Sequence, residues 1–187
     1  MNFLSYKEKI VPRLKTLIET DLKEYIQIVA LKKNDFLVEE GDICQYYYFV
    51  KEGILRNYYL KNGIEITTNF DTPDDIATNF TSLILKQESI GYIQAITNCI
   101  IYRMKAFDFE RIKAQNHIIQ ELNDTLVYSY VILLEERLYS IQFCTAAERY
   151  DFIIKKYPHY IQQIPLTYIA SYLGISLETL SRIRAKY

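Results

Sequence analysis

Residues 164–187 read IPLTYIASYLGISLETLSRIRAKY, a stretch that predicts two short helices joined by a tight turn. With Leu166 as the first position, Ala170 is the fifth, Gly174 the ninth and Leu180 the fifteenth. The fifth residue must be small because it faces the second helix at close approach. The ninth lies in the turn, where a left-handed backbone favours glycine, and the fifteenth fills the core. This spacing predicts a helix-turn-helix, a module that reads DNA.

The second helix of the motif is expected to carry the DNA contacts. Ser176 is predicted to cap it, and an acidic side chain in the first turn suits the positive end of the helix dipole. Leu180, Ile183 and Tyr187 are expected to point inward. The predicted contact set is therefore the remaining polar and outward-facing side chains, with one threonine of the preceding helix: Thr167, Ser176, Leu177, Glu178, Thr179, Ser181, Arg182, Arg184 and Lys186.

These side chains divide into base-reading and phosphate-contacting residues. Arg182 is suited to a bidentate contact with guanine, and Glu178 to accepting from a cytosine amine. Leu177 offers only an apolar contact, for instance with a thymine methyl group. Hydroxyl groups such as that of Thr167 are candidate phosphate contacts, which fix register without reading sequence. For Thr167, a plain surface hydroxyl is an equal alternative.

Charge and cysteine content limit the function class. The 187 residues carry a net charge of -1, but residues 142–187 hold six Lys/Arg and three Asp/Glu, 6 − 3 = +3, which leaves −4 for the rest. This asymmetry suits a basic segment that meets phosphate. The three cysteines lie far apart, which indicates reduced thiols in a cytoplasmic protein. Neither a signal peptide nor a membrane-spanning run is visible.

Residues 22 to 105 predict a β-rich domain. Short apolar runs are separated by turn signals, and Gly41, Gly53 and Gly63 each close one of them. Strands at this spacing are typical of a sandwich or barrel. The Asn62–Gly63 pair between two such runs predicts a tight hairpin. An amphipathic helix over residues 5–21 precedes the domain.

A long helix over residues 116–140 shows two apolar stripes, which need two surfaces to cover them. One is expected to pack on the chain's own β-domain and the other on a partner chain, although burial within a monomer is an alternative. The stripe assigned to dimerisation is Ile119, Leu122, Leu126, Tyr130 and Leu133. The second stripe is Val127, Val131, Leu134, Leu138 and Ile141. A further helix begins after Thr145, its predicted cap.

This order of elements resembles the Crp/Fnr family of bacterial transcription regulators. The most specific segments are TAAERYDFIIKKYP and IPLTYIASYLGISLETLSRIR, which are similar to Bacteroidetes-type members, while EEGD, VKEG and NGIE match the glycine turns of the β-roll. The resemblance implies an α+β fold: a double-stranded β-helix (a jelly-roll-like β-roll) as sensor over 1–115, a dimerisation helix over 116–141, and a helix-turn-helix domain over 142–187. It also implies a cytoplasmic homodimer on a pseudo-palindromic site in double-stranded DNA, in contact with RNA polymerase.

The segment that corresponds to the family's phosphate-binding cassette departs from its pattern. Family members that bind cyclic nucleotides offer a Gly-Glu pair and then an arginine, but residues 73–96 contain no arginine and no such pair. A buried phosphate needs charge-assisted donors. Cyclic AMP and cyclic GMP are therefore not expected, although a non-standard pocket is an alternative. The candidate effector pocket is lined by Ala77, Thr78, Asn79, Lys86, Ser89 and Tyr92.

No cofactor or catalytic chemistry is predicted. No cysteine precedes Cys44, so the iron–sulfur cluster of the oxygen-sensing branch is not expected, and neither His117 nor His159 lies where haem would need a ligand. No metal site, nucleophile–base pair or glycine-rich phosphate loop is present, so an enzyme is not expected. The rival to a regulator is a ligand-binding or interaction module whose DNA binding has decayed. Leu177, which replaces a family arginine, and the short sequence after the recognition helix support that rival.

Overall fold

Eight strands form two four-stranded sheets that together make a β-roll. The protein is described by a computed structural model, which places the backbone of residues 3–186 and the side chains of residues 10–186. The sheet orders are β1-β8-β3-β6 and β2-β7-β4-β5. The strands are β1 (Gln27–Leu31), β2 (Phe36–Val38), β3 (Tyr46–Glu52), β4 (Leu55–Lys61), β5 (Ile64–Asp71), β6 (Ile76–Ala77), β7 (Gly91–Ala95) and β8 (Cys99–Lys105). The predicted mixed α+β class with a β-roll is confirmed.

The β4–β5 hairpin turns where the sequence predicted it. Asn62 and Gly63 have φ angles of 53° and 77°, the left-handed pair that a two-residue turn requires. The two strands pair antiparallel from Leu55 opposite Asp71 to Lys61 opposite Ile64, with an irregularity between Asn57 and Tyr58. Because β5 is the last strand of its sheet, one edge of it faces away from any strand.

Seven α-helices and two short 3-10 helices are described between residues 3 and 186. They are α1 (Phe3–Glu19), α2 (Phe80–Leu85), α3 (Ala106–Lys113), α4 (His117–Phe143), α5 (Ala146–Lys156), α6 (Leu166–Leu173), α7 (Leu177–Arg184), and the 3-10 turns Lys23–Tyr25 and Ile161–Gln163. Asn116 caps α4, and Thr145 with Glu148 forms a capping box on α5, which explains where both helices begin. Within these residues, no helix combines the length and apolarity needed to cross a bilayer.

The chain forms two compact units that do not follow sequence order. One contains residues 3–27 and 104–144, where α1 packs along α4. The other contains residues 28–103 and 145–186, so most of the β-roll and helices α5 to α7 belong together. These units are defined by packing within the chain. The domain limits implied by the family resemblance, at residues 115 and 141, stay a prediction.

The two apolar stripes of α4 differ in how far the rest of the chain buries their side chains. Ile119 and Leu122, the first two residues assigned to dimerisation, are 1% and 3% exposed within the chain itself. A side chain with no exposed surface offers nothing to a partner, so these two serve the chain's own packing. Leu126 and Leu133 of the same stripe are half-buried, and Tyr130 is exposed. Every side chain of the second stripe, from Val127 to Ile141, is between 46% and 55% exposed.

Candidate nucleic-acid interface

Helices α6 and α7 are joined by a turn at Gly174, where the sequence predicted one. Gly174 ends α6 with φ 67° and ψ 37°, and its N–H donates to the carbonyl groups of Ala170 and Ser171. Ala170, the small residue at the fifth position, is 4% exposed, and Leu180, the apolar residue at the fifteenth, is 0% exposed. Both therefore lie in the core of this region. The left-handed turn is available to glycine at no steric cost, which explains why the chain reverses there.

The outer face of α7 is open to solvent. Leu177, Glu178, Ser181, Arg182 and Arg184 are all exposed, as are Lys186 beyond the helix and Thr167 on α6. Leu180 and Ile183 pack inward as predicted, while Tyr187 lies outside the described residues. The three cations on this face give it the positive charge that a DNA backbone attracts.

A polar network fixes the first turn of α7. The Ser176 hydroxyl accepts from the Thr179 backbone N–H at 3.2 Å, as a capping serine does. Arg182 donates to the Thr179 hydroxyl at 3.3 Å, so its guanidinium lies along the exposed surface. A side-chain hydrogen bond with Ser176 lowers the pKa of Glu178, with a smaller contribution from Arg182. Glu178 is therefore ionised at neutral pH and serves only as an acceptor.

The α6–α7 pair is packed on the β-roll through a shared core. Ile54, Phe70 and Ile96 of the β-roll lie in one buried cluster with Ile169, Tyr172 and Leu180 of the pair. The Tyr157 hydroxyl, at the end of α5, donates to the Phe70 carbonyl at 2.9 Å. The Phe70 ring also packs against the Tyr172 ring, with centroids 5.5 Å apart. The helices are thus attached by a buried, apolar interface.

A buried arginine lies beside this core and was missed by the sequence analysis. Arg56 on β4 is 1% exposed, and its guanidinium lies 4.4 Å from the ring centroid of Tyr58 and 3.6 Å from that of Tyr168 on α6. It donates to the Thr67 hydroxyl at 2.8 Å and pairs with the Glu65 carboxylate. An isolated arginine in a strand-like run gives no sign of a partner more than a hundred residues away.

Ser171, one helical turn beyond Tyr168, completes the contact. Its hydroxyl accepts from the Thr67 backbone N–H and donates to the Glu65 carbonyl, both at 2.9 Å. These are backbone groups on the free edge of β5. The six residues that meet here are called the Arg56 cluster: Arg56, Tyr58, Glu65, Thr67, Tyr168 and Ser171. Burial and the nearby Glu65 carboxylate raise the pKa of Tyr58 to about 12, so its ring faces the guanidinium as the neutral phenol.

The predicted effector residues lie on and around α2, within residues 77–92, which are called the pocket segment here. Two of them, Asn79 and Ser89, bond to each other. Asn79 caps α2 by accepting from the Ser82 N–H at 3.0 Å, and its amide donates to the Ser89 hydroxyl at 2.6 Å. The Ser89 hydroxyl donates in turn to the Gly91 carbonyl at 2.7 Å. The Ser82 hydroxyl, fully buried, accepts from the Cys44 N–H and donates to the Gln87 carbonyl. The hydrogen-bonding groups of Asn79, Ser82 and Ser89 are thus taken up by other residues of the β-roll.

The other predicted effector residues point in different directions. Ala77 is buried in β6, and the Thr78 hydroxyl donates to the Tyr46 carbonyl at 3.1 Å. Lys86 is exposed at the end of α2, with φ 54°. Tyr92 stacks on Tyr58, with ring centroids 4.8 Å apart. The structure therefore brings Asn79 and Ser89 together but does not gather the six predicted residues around one point.

Comparison with known proteins supports the same architecture. Residues 28–116 match the family of cyclic nucleotide-binding domains. FixK2 from Bradyrhizobium japonicum aligns with a TM-score of 0.73 and 19% identity, over 86% of this chain and 83% of that one. A CooA variant from Carboxydothermus hydrogenoformans aligns with a TM-score of 0.70 and 17% identity, over 89% and 78%. The catabolite activator protein of Thermus thermophilus aligns with a TM-score of 0.55 and 21% identity, over 90% and 81%. No curated protein sequence matches the chain. At these identities the likeness shows a shared fold.

Proposed function

We propose that this protein is a transcription regulator of the Crp/Fnr type, which binds double-stranded DNA through the exposed face of α7. The observation that carries the proposal is the geometry of α6 and α7. A capped helix presents Glu178, Arg182 and Arg184 to solvent while Leu180 anchors it. Arg182 and Arg184 lie in the last turn of α7. Exposed arginine side chains on a recognition helix are suited to bidentate contacts with guanine in the major groove.

A selection from random duplexes tests the proposal. We expect enrichment of a pseudo-palindromic sequence, because a two-fold dimer presents two recognition helices about one helical turn apart. Arg182→Ala should then cost about 1–3 kcal/mol of binding free energy and relax one base position. Lys155→Ala is the matched control, since Lys155 is an exposed cation on α5 that pairs with Asp151. No enrichment with the parent protein would favour the rival function, an interaction module without DNA binding.

Dimerisation is proposed through the exposed stripe of α4. Val127, Val131, Leu134, Leu138 and Ile141 alternate at spacings of four and three residues, the heptad pattern of a two-stranded coiled coil. An exposed apolar seam of this length is a liability without a partner. Because the stripe of one chain can pack against the same stripe of another, a second copy of the chain is the proposed partner.

Light scattering tests the dimer. Leu134→Glu places a charge in the middle of the stripe and should convert the protein to a monomer, with a large loss of affinity for the palindromic site. Gln142→Glu adds the same charge on the same helix, off the stripe, and should leave a dimer. If Leu134→Glu is still a dimer, the seam lies elsewhere.

We infer that the β-roll does not take cyclic AMP or cyclic GMP. The pocket segment has no arginine, and the groups that would meet a phosphate, the Ser82 N–H and the Ser89 hydroxyl, already bond to Asn79 and Gly91. A phosphate would need these bonds to break without gaining a guanidinium donor from this segment. Calorimetry should give no binding heat with either nucleotide at millimolar concentration. A measurable heat would overturn this inference and leave the DNA-binding proposal standing.

A further inference from the structure

We propose that Arg56 is a positioning residue for the α6–α7 pair. Through the Arg56 cluster, the β4–β5 hairpin determines where α7 is held relative to the β-roll. The consequence for DNA recognition rests on the proposed function, whereas the docking of α6 on the hairpin is a property of the chain alone. The argument starts from the strands, which gather the polar side chains on one face.

Strand geometry places the four hairpin residues of the cluster together. Side chains two apart on a strand share a face, which pairs Arg56 with Tyr58 on β4 and Glu65 with Thr67 on β5. Tyr58 lies opposite Thr67 in the antiparallel register, so the two pairs adjoin. The hairpin alone therefore offers Arg56 an ion pair, a hydroxyl acceptor and one ring, and it leaves the other face of the guanidinium open.

Helix α6 supplies what the hairpin lacks. Tyr168 covers the open face of the guanidinium at 3.6 Å, which leaves Arg56 only 1% exposed. A buried charge must have partners on every side, and a planar guanidinium accepts a ring above, a ring below and hydrogen bonds at its rim. If α6 left the hairpin, Arg56 would lose one ring and β5 would lose the two edge bonds from Ser171. These directional contacts favour a single docked orientation over sliding on an apolar surface.

The docked orientation leaves the DNA-reading face open. The α6 side chains that meet the hairpin are Tyr168 and Ser171, while Leu177, Ser181 and Arg182 are exposed on α7. The cluster therefore holds the reading helix in place without covering it. For a dimer, loosening α7 on its own β-roll adds freedom to the distance between the two reading helices and should make the spacing between half-sites less strict.

Hydrogen exchange tests the docking without DNA. Tyr168→Leu removes the ring, and we expect exchange in segments 64–71 and 166–173 to rise about tenfold, a typical effect of losing a buried cation–π contact. Tyr168→Phe keeps the ring and should exchange like the parent, which makes it the matched control. Segment 46–52, on β3 in the other sheet, should be unchanged in both variants. Equal exchange in the Leu and Phe variants would overturn the proposal.

Half-site spacing tests the positioning role. Each protein is assayed on its selected operator and on duplexes with one or two base pairs inserted at the centre. The parent should lose at least about tenfold in affinity on insertion, and Tyr168→Leu and Arg56→Met should lose markedly less, because a loosened pair adapts to either spacing. An unchanged spacing preference in variants whose exchange has risen would overturn the positioning role. If the parent selects no duplex, the proposed DNA-binding function fails, and the exchange comparison still decides whether the cluster docks α6.

Discussion

The β-roll contains two buried polar networks, and they are completed in opposite ways. The pocket segment closes on itself: Asn79, Ser82 and Ser89 find their partners within residues 42–91. The Arg56 cluster remains incomplete until Tyr168 and Ser171 arrive from a helix more than a hundred residues away. A network that satisfies itself locally needs no ligand, whereas a network completed from a distance links two parts of the molecule. The contrast supports the proposals that the pocket segment has a structural role and that the Arg56 cluster positions α6.

Glu65→Ala should have the largest effect of the changes that probe this contrast. It leaves the Arg56 guanidinium buried without its countercharge. Because the Glu65 side chain is 45% exposed, the expected loss of unfolding free energy is at the lower end for a broken buried pair, about 3 kcal/mol. Urea unfolding measures the loss. Glu52→Ala, on exposed surface at the end of β3, is the control and should stay within about 0.5 kcal/mol of the parent. Equal stability of the two variants would mean that the ion pair contributes little.

Ser82→Ala tests the self-contained network. Its hydroxyl accepts from the buried Cys44 N–H at 2.9 Å, and an unpaired buried donor costs about 1–3 kcal/mol. Thr81→Ala, exposed on the same helix, should be neutral within about 0.5 kcal/mol. Hydrogen exchange at 166–173 should not change in the Ser82 variant beyond its global destabilisation. A specific increase there would show that the pocket segment and α6 are coupled after all.

Ser171→Ala removes the bonds from α6 to the edge of β5 while keeping the helix intact. Because the Glu65 carbonyl belongs to an exposed residue and only the Thr67 N–H belongs to a buried one, the expected cost is about 1 kcal/mol of unfolding free energy. Thr167→Ala, an exposed hydroxyl on the same helix, gives the matched comparison for stability. Measuring the DNA affinity of the same two variants separates their roles, because Thr167→Ala should weaken binding if the Thr167 hydroxyl contacts phosphate. Loss of stability in Thr167→Ala but not in Ser171→Ala would contradict the assigned contacts.

Glu148→Gln should have the smallest effect, and it depends on pH. Hydrogen bonds from the Thr145 backbone N–H and hydroxyl lower the pKa of Glu148 in the folded protein. A lowered folded-state pKa contributes stability that is present above the unfolded-state pKa of the carboxyl and is lost as the pH falls through the folded-state value. Unfolding curves should therefore show a smaller difference between the variant and the parent in acid than at neutral pH. A constant difference would show that the capping bonds do not depend on ionisation.

Local signals in the sequence predicted much of the fold and part of the site. Gly174, Ser176 and Leu180 were placed correctly because a left-handed turn, a helix cap and a core plug each restrict the residue type. The Asn62–Gly63 hairpin was predicted for the same kind of reason. Such constraints act over a few residues, so a single sequence reveals them.

Contacts between distant segments were not predictable in this way. Arg56 in the run ILRNYYL resembles any arginine in a strand, and no neighbouring residue in the sequence indicates that Tyr168 covers it. The two stripes of α4 were both recognised, but periodicity cannot say which one the chain itself buries. Ile119 and Leu122 are covered within the chain, and the stripe from Val127 to Ile141 is the exposed one. Partner choice depends on tertiary geometry, which the pattern of one helix does not contain.

The bonds from Ser171 to the edge of β5 also bear on how the protein is made. Thr67 and Ser171 are 104 residues apart, and a ribosome adds about 5–20 residues per second, so β5 waits about 5–20 s for its cover. During that interval the nascent β-roll presents an uncovered strand edge flanked by the exposed Ile64 and Ile66. Such an edge can pair with a neighbouring chain. Helices α6 and α7 therefore also remove the strand edge on which newly made copies could aggregate.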